Sequence, residues 1–130
     1  AYAADSARFA VSGIDLGLFC STPSVALSRA VKRKAALEML LTGRFVGAAE
    51  AQASGLINRA VPPEDLDRVV NEIAAAIAGK APDAVALGKA LFGRQIEMSL
   101  EGAYGLAARR MAENLAFPSA RSGIDRFLKR

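Results

Sequence analysis

Histidine and tryptophan are absent from the 130 residues, and there is a single cysteine. Each absence excludes a class of chemistry. Without His the commonest acid/base and the commonest metal ligand are missing, so no metal site is expected. One cysteine, Cys20, cannot close an internal disulfide, which suits a reducing cytosol or an organelle matrix. The longest unbroken apolar run, Ile73 to Ala78, is far too short to cross a bilayer. No charged stretch followed by an apolar one opens the chain, so nothing marks it for secretion. A cytoplasmic protein with no membrane partner is expected.

The composition that remains is that of one globular domain, 52% hydrophobic and 23% charged. A net charge of +4 permits an anionic partner, either nucleic acid or a phosphate-bearing molecule. Basic residues cluster at Arg29 to Lys34, Arg109-Arg110 and Arg126 to Arg130, with acidic residues interleaved elsewhere. Only two Tyr are available to stack bases, so nucleic acid is the disfavoured partner.

Residues 2 to 11 read as short extended pieces, of the kind that belong to a larger sheet and leave exposed edges if unpaired. Thr22-Pro23 is the expected start of a helix, with Thr as cap and Pro in the first position. Lys32 onward begins another, with Ala36, Leu37, Leu40 and Leu41 at helical spacing and an end at Thr42-Gly43. Ala48 to Ser54 reads as one or two turns closed by Gly55, and Leu56 to Val61 alternates like a strand before Pro62-Pro63. Leu66, Val69, Val70, Ile73 and Ile77 mark the clearest amphipathic helix, with Glu64 and Asp65 in its first turn. A long helical stretch from Pro82 to about Leu115 should break near Met98-Ser99, and a last helix should run from Ala120 to Arg130.

Several segments in this order carry a resemblance. Phe9, Ala10, Val11, Ser12 and Gly13, then Leu16-Gly17 and Cys20-Ser21, line up with the pattern Phe-Gly-x-Pro-Glu-x-x-Leu-Gly-x-x-Pro-Gly. Ala35 to Gly43 is similar to Ala-x-Glu-x-x-Leu-Thr-Gly, and Ala48-Ala49-Glu50-Ala51 with Gly55-Leu56-Ile57 to Ala-x-Glu-Ala followed by Gly-Leu-Val. Gly123-Ile124 and Phe127 to Arg130 are similar to Glu-Gly-x-x-Ala-Phe-x-x-Lys-Arg. Together they resemble the enoyl-CoA hydratase/isomerase (crotonase) family. The stretch Leu16 to Pro23 looks like the domain-containing branch of the hydratase homologues, which also lacks the second glutamate.

The resemblance implies an α/β, crotonase-like (ClpP/crotonase) fold, of which these residues are the C-terminal half. Residues 1–61 would be the end of the ββα core and 62–130 a helical trimerisation region. The front half, with both oxyanion-hole amides and the first catalytic glutamate, would lie outside these residues. Also implied are action on acyl-CoA thioesters in fatty-acid metabolism, as a lyase or isomerase, and a homo-oligomer, either a trimer or a dimer of trimers (a hexamer). Coenzyme A would enter as part of the substrate, with no separate cofactor.

Hydration of an enoyl thioester needs fixed N–H donors at the developing enolate oxygen, each worth about 10²–10³ in rate. It also needs a positioned carboxylate, worth about 10²–10⁴. Gly13 stands where the family acid/base Glu belongs and can do neither acid nor base work. Asp15 could substitute only if the local chain is extended; in a helical turn it points away. By the resemblance Leu18 and Cys20 line the acyl pocket, and without His nothing activates Cys20 as a nucleophile. Phe127 matches the family Phe that approaches CoA of a neighbouring subunit, and Lys129 or Arg130 matches its basic companion. The competing reading is a non-catalytic acyl-CoA-binding or assembly subunit of the same fold.

Overall fold

In the computed structural model, which describes residues 1–129, the chain divides into two compact units, Ala1–Asn71 and a second from Glu72 onward. The first unit is built on four short strands. Tyr2–Ala4 (β1) runs parallel to Arg59–Val61 (β4), with Ala3 opposite Ala60, and Arg8–Phe9 (β2) runs antiparallel to Val46–Gly47 (β3), with Phe9 opposite Val46. The parallel pair closes over nearly the whole length of the unit. Such a pairing requires a crossover, here supplied by helices.

Those helices are Ser21–Ala30 (α1), Arg33–Thr42 (α2) and Ala48–Ser54 (α3). Leu27 of α1, Val31, then Ala36, Met39 and Leu40 of α2 bury together with Ala3, Val46, Ala48, Ala51 and Ile57. Ala36 and Ala51 are almost fully buried, so the helix backbones approach closely there. The buried stripe of α2 is thus 36, 39 and 40. Leu37 and Leu41, expected on the apolar side, are 53% and 55% exposed.

Two boundaries in the first unit differ from expectation. α1 starts at Ser21, with Cys20 as its cap, so Pro23 falls at the third helical position. That is tolerated because the first-turn amides have no intrahelical partner anyway. The strand expected from Leu56 begins only at Arg59. The amides of Leu56 and Ile57 both donate to the carbonyl of Ala51, at 2.9 and 3.3 Å, closing the end of α3 behind left-handed Gly55.

A 3-10 turn at Pro63–Asp65 leads into Leu66–Ala78 (α4). Pro82–Gln95 (α5), Leu100–Leu115 (α6) and Pro118–Leu128 (α7) follow. Ser99 caps α6, its hydroxyl accepting from the amide of Gly102 at 3.3 Å, which is the expected break. α7 starts two residues before Ala120 because Pro118 suits the first helical position. From Glu72 on, Leu106 is the single large apolar residue that is buried among the described residues.

Candidate functional site

Ser12–Leu16 forms a 3-10 turn that ends on left-handed Gly17 (φ 76°). The amide of Leu18 then donates to the carbonyl of Gly13 at 2.9 Å, folding the chain back over position 13. The consequence is steric. A Cβ at Gly13 would lie 2.6 Å from Cys20 Sγ and 2.9 Å from the carbonyl oxygen of Leu18, closer than real Cβ atoms come to such neighbours. Gly13 does not have a positive φ. Glycine is required here by space and not by dihedral freedom.

Cys20 is half-buried, packs against the core and accepts the amide of Ser24 at 2.9 Å through its own carbonyl. Leu18 is 64% exposed, and Leu16 and Phe19 beside it also reach solvent. The loop therefore holds a sulfur over the glycine and presents an apolar lip outward. The Asp15 carboxylate has a different neighbour. Its Oδ2 would stand 2.8 Å from a Cβ on Gly43, the residue that ends α2. The structure thus brings Gly13, Leu18 and Cys20 together and places the Asp15 carboxylate elsewhere.

In the second unit, Phe127 is strongly exposed near the end of α7. Lys129 follows as its C-cap, with its amide donating to the carbonyl of Phe127. Arg130 lies outside the described residues.

One cluster escaped sequence reasoning. Arg44 Nε donates to Glu38 Oε1 at 3.0 Å, and its two terminal nitrogens form a bidentate pair with Glu50, Nη1 reaching Oε2 at 3.0 Å. The hydrogen bonds from Arg44 hold the Glu50 carboxyl below its usual range, and Glu50, then Glu38, raise the guanidinium above its own. Glu38 and Glu50 are the glutamates of the two internal motif segments. Their spacing was the available signal, since Arg44 lies six residues from each. These carboxylates tie α2 to α3.

A second feature needed tertiary structure to appear: an open groove of about 410 Å³ between α5 and α6, lined by Leu91, Phe92, Leu100 and Tyr104 among others. Among the described residues, no group of three or more His, Cys, Asp or Glu could hold a metal ion, and no helix is long and apolar enough to cross a membrane.

The enoyl-CoA hydratase/isomerase family model matches residues 1–130. The rat mitochondrial enoyl-CoA hydratase domain-containing protein 3 is 47% identical over 130 residues, covering 100% of this chain and 43% of that protein. A crystal structure of an enoyl-CoA hydratase from Mycobacterium smegmatis superposes with a TM-score of 0.96 at 55% identity, over 98% of this chain and 50% of that one. The human domain-containing protein 3 gives 0.93 at 45% identity, over 98% and 51%. The chain therefore spans about half the length of the proteins it matches.

Proposed function

Because the chain belongs to the enoyl-CoA hydratase/isomerase family and has the crotonase fold of its structural neighbours, we propose that it forms the C-terminal half of a site acting on acyl-CoA thioesters. The reaction is one that depends on stabilising the thioester enolate through backbone N–H donors supplied outside these residues. Residues 1–61 complete the core beneath the acyl chain, with Leu18 and Cys20 against it. Residues 62–130 form the helical region that assembles a trimer or a dimer of trimers. Phe127 with Lys129 or Arg130 meets the CoA of a neighbouring subunit, where a cation suits phosphate.

The observation that turns this reading away from hydration is the closure of Leu18 and Cys20 over Gly13. The acid/base place contains no carboxylate and no room for one. Asp15, the one substitute nearby in sequence, lies beside Gly43. Isomerisation or thioester cleavage, which can combine an oxyanion hole with a single acid/base, here the glutamate expected in the front half outside these residues, fit that arrangement better than hydration. The same closure favours the second reading, a non-catalytic acyl-CoA-binding or assembly subunit. We place the protein in the cytoplasm; the vertebrate relatives are named as mitochondrial, and a matrix location would suit the lone thiol equally.

The test uses the full-length protein with butyryl-CoA in deuterated water, and with crotonyl-CoA. Exchange of the α-protons, seen by proton NMR, with no hydration of crotonyl-CoA is the expected result. Binding of CoA without exchange selects the non-catalytic reading. Efficient hydration by the native protein would overturn the role given to Gly13, and absence of CoA binding would overturn both readings.

A further inference from the structure

α7 is held almost entirely by its first turns. None of its residues is fully buried; Ser119, Ala120 and Gly123 are half-buried, and Ile124, Phe127 and Leu128 are 46%, 74% and 75% exposed. Beside that anchor the packing is open: a cavity of about 260 Å³ is lined by Asp83, Leu87, Ala90, Arg110, Glu113 and Phe117. Its lining residue Asp83 takes part in a half-buried hydrogen bond between residues 36 apart, Ser119 Oγ donating to Asp83 Oδ2 at 2.7 Å. The other carboxylate oxygen, Oδ1, accepts from the amide of Ala84 at 2.8 Å, which fixes the Asp83 side chain.

The geometry of the two ends is matched. Pro82 and Pro118 open α5 and α7, and Asp83 and Ser119 are the residues directly after them. Two helix N-termini therefore meet at one carboxylate, which both dipoles favour. The bond is charge-assisted and directional, where apolar packing around it is loose.

We propose that Asp83 and Ser119 form a positioning latch that fixes the direction of α7 and so the place of Phe127 and Lys129. The ligand side of this rests on the CoA contact proposed above. Eight residues of helix separate Ser119 from Phe127, a lever of about 12 Å. A swing of about 10° at the latch moves Phe127 by about 2 Å over such a lever, enough to break a stacking interaction.

The test compares Ser119→Ala, Ser119→Thr and Asp83→Asn, each made in the full-length protein, with the unsubstituted protein by amide hydrogen exchange and by calorimetric titration with CoA. Ser119→Ala should speed exchange in residues 118–128 about tenfold while α5 and α6 keep their protection, and should weaken CoA binding about fivefold or more. Asp83→Asn should act in the same direction, since it removes the charge that strengthens the bond. Ser119→Thr, which keeps the hydroxyl, should restore both readouts. Dephospho-CoA should bind the unsubstituted protein and Ser119→Ala with more similar affinity, because the latch acts on the phosphate-bearing end of the ligand. Unchanged exchange in α7, or a fall in protection spread evenly through α5 and α6, overturns the latch. If the unsubstituted full-length protein binds no CoA, the ligand reading fails alone and exchange still decides the latch.

Discussion

Gly13 shows how a residue can be fixed by its neighbours' atoms when its own dihedrals would accept others. Cys20 Sγ and the Leu18 carbonyl occupy the volume that any side chain at 13 would enter. One of these is backbone, held by the Leu18 amide bond to Gly13 itself. Gly13→Ala is therefore expected to destabilise the chain by about 1–3 kcal/mol, the usual cost of overpacking. Adding Cys20→Ala should recover only part of that, because the Leu18 oxygen remains. Urea unfolding of the two single variants and the double variant measures the coupling; a neutral Gly13→Ala would mean the loop opens freely. By the same argument Gly13→Glu does not recreate an acid/base, since its Cβ meets the same atoms. In the sequence, Gly13 stands where the resembled family pattern has a Glu. The sequence could not show that the space was closed, because that depends on Gly17 turning the chain back.

At the scale of elements, the Arg44 bridge joins the middle of α2, at Glu38, to α3, at Glu50. Both carboxylates are exposed by half or more, so the bridge is screened and contributes modestly. Its pH dependence has a definite sign. Glu50 titrates lower in the folded chain than unfolded, so its contribution is complete above the ordinary carboxylate value of about 4.3. It is lost as pH falls from there through the lowered folded value. Glu50→Gln should flatten the acid limb of a thermal-stability profile at low salt and change little near neutrality. An unaltered acid limb would show that the pair is idle. The helices themselves were largely legible: α2 ends at Gly43 and α3 at Gly55 because left-handed caps favour glycine, and the α5–α6 break falls on the Ser99 cap. The strands were not. The first residues of the alternating run Leu56 to Val61 go to capping α3, and periodicity cannot distinguish a strand from a cap that leads into one.

For the whole molecule, the distribution of apolar surface is the informative quantity. The first unit buries a contiguous core, whereas from Glu72 on the helices show Phe92 at 65%, Leu100 at 76% and Tyr104 at 70% exposed around one groove. Exposed apolar patches of this kind mark surfaces that a partner, a ligand or a membrane covers, and the proposed trimer supplies a partner. The sequence pattern concealed this, since the apolar spacing of α5 and α6 reads the same whether a stripe faces its own core or a neighbouring subunit. The proposed trimer predicts that sedimentation velocity of the full-length protein finds species well above its monomer mass, with a proportion that rises with concentration. Leu100→Glu combined with Tyr104→Glu places two carboxylates in the groove, where desolvation disfavours them. That variant should sediment as monomer and keep its far-UV helical signal, since neither side chain is buried in the isolated chain. A native protein that sediments as monomer at all concentrations, or a double variant that assembles unchanged, would remove the helical groove from the interface.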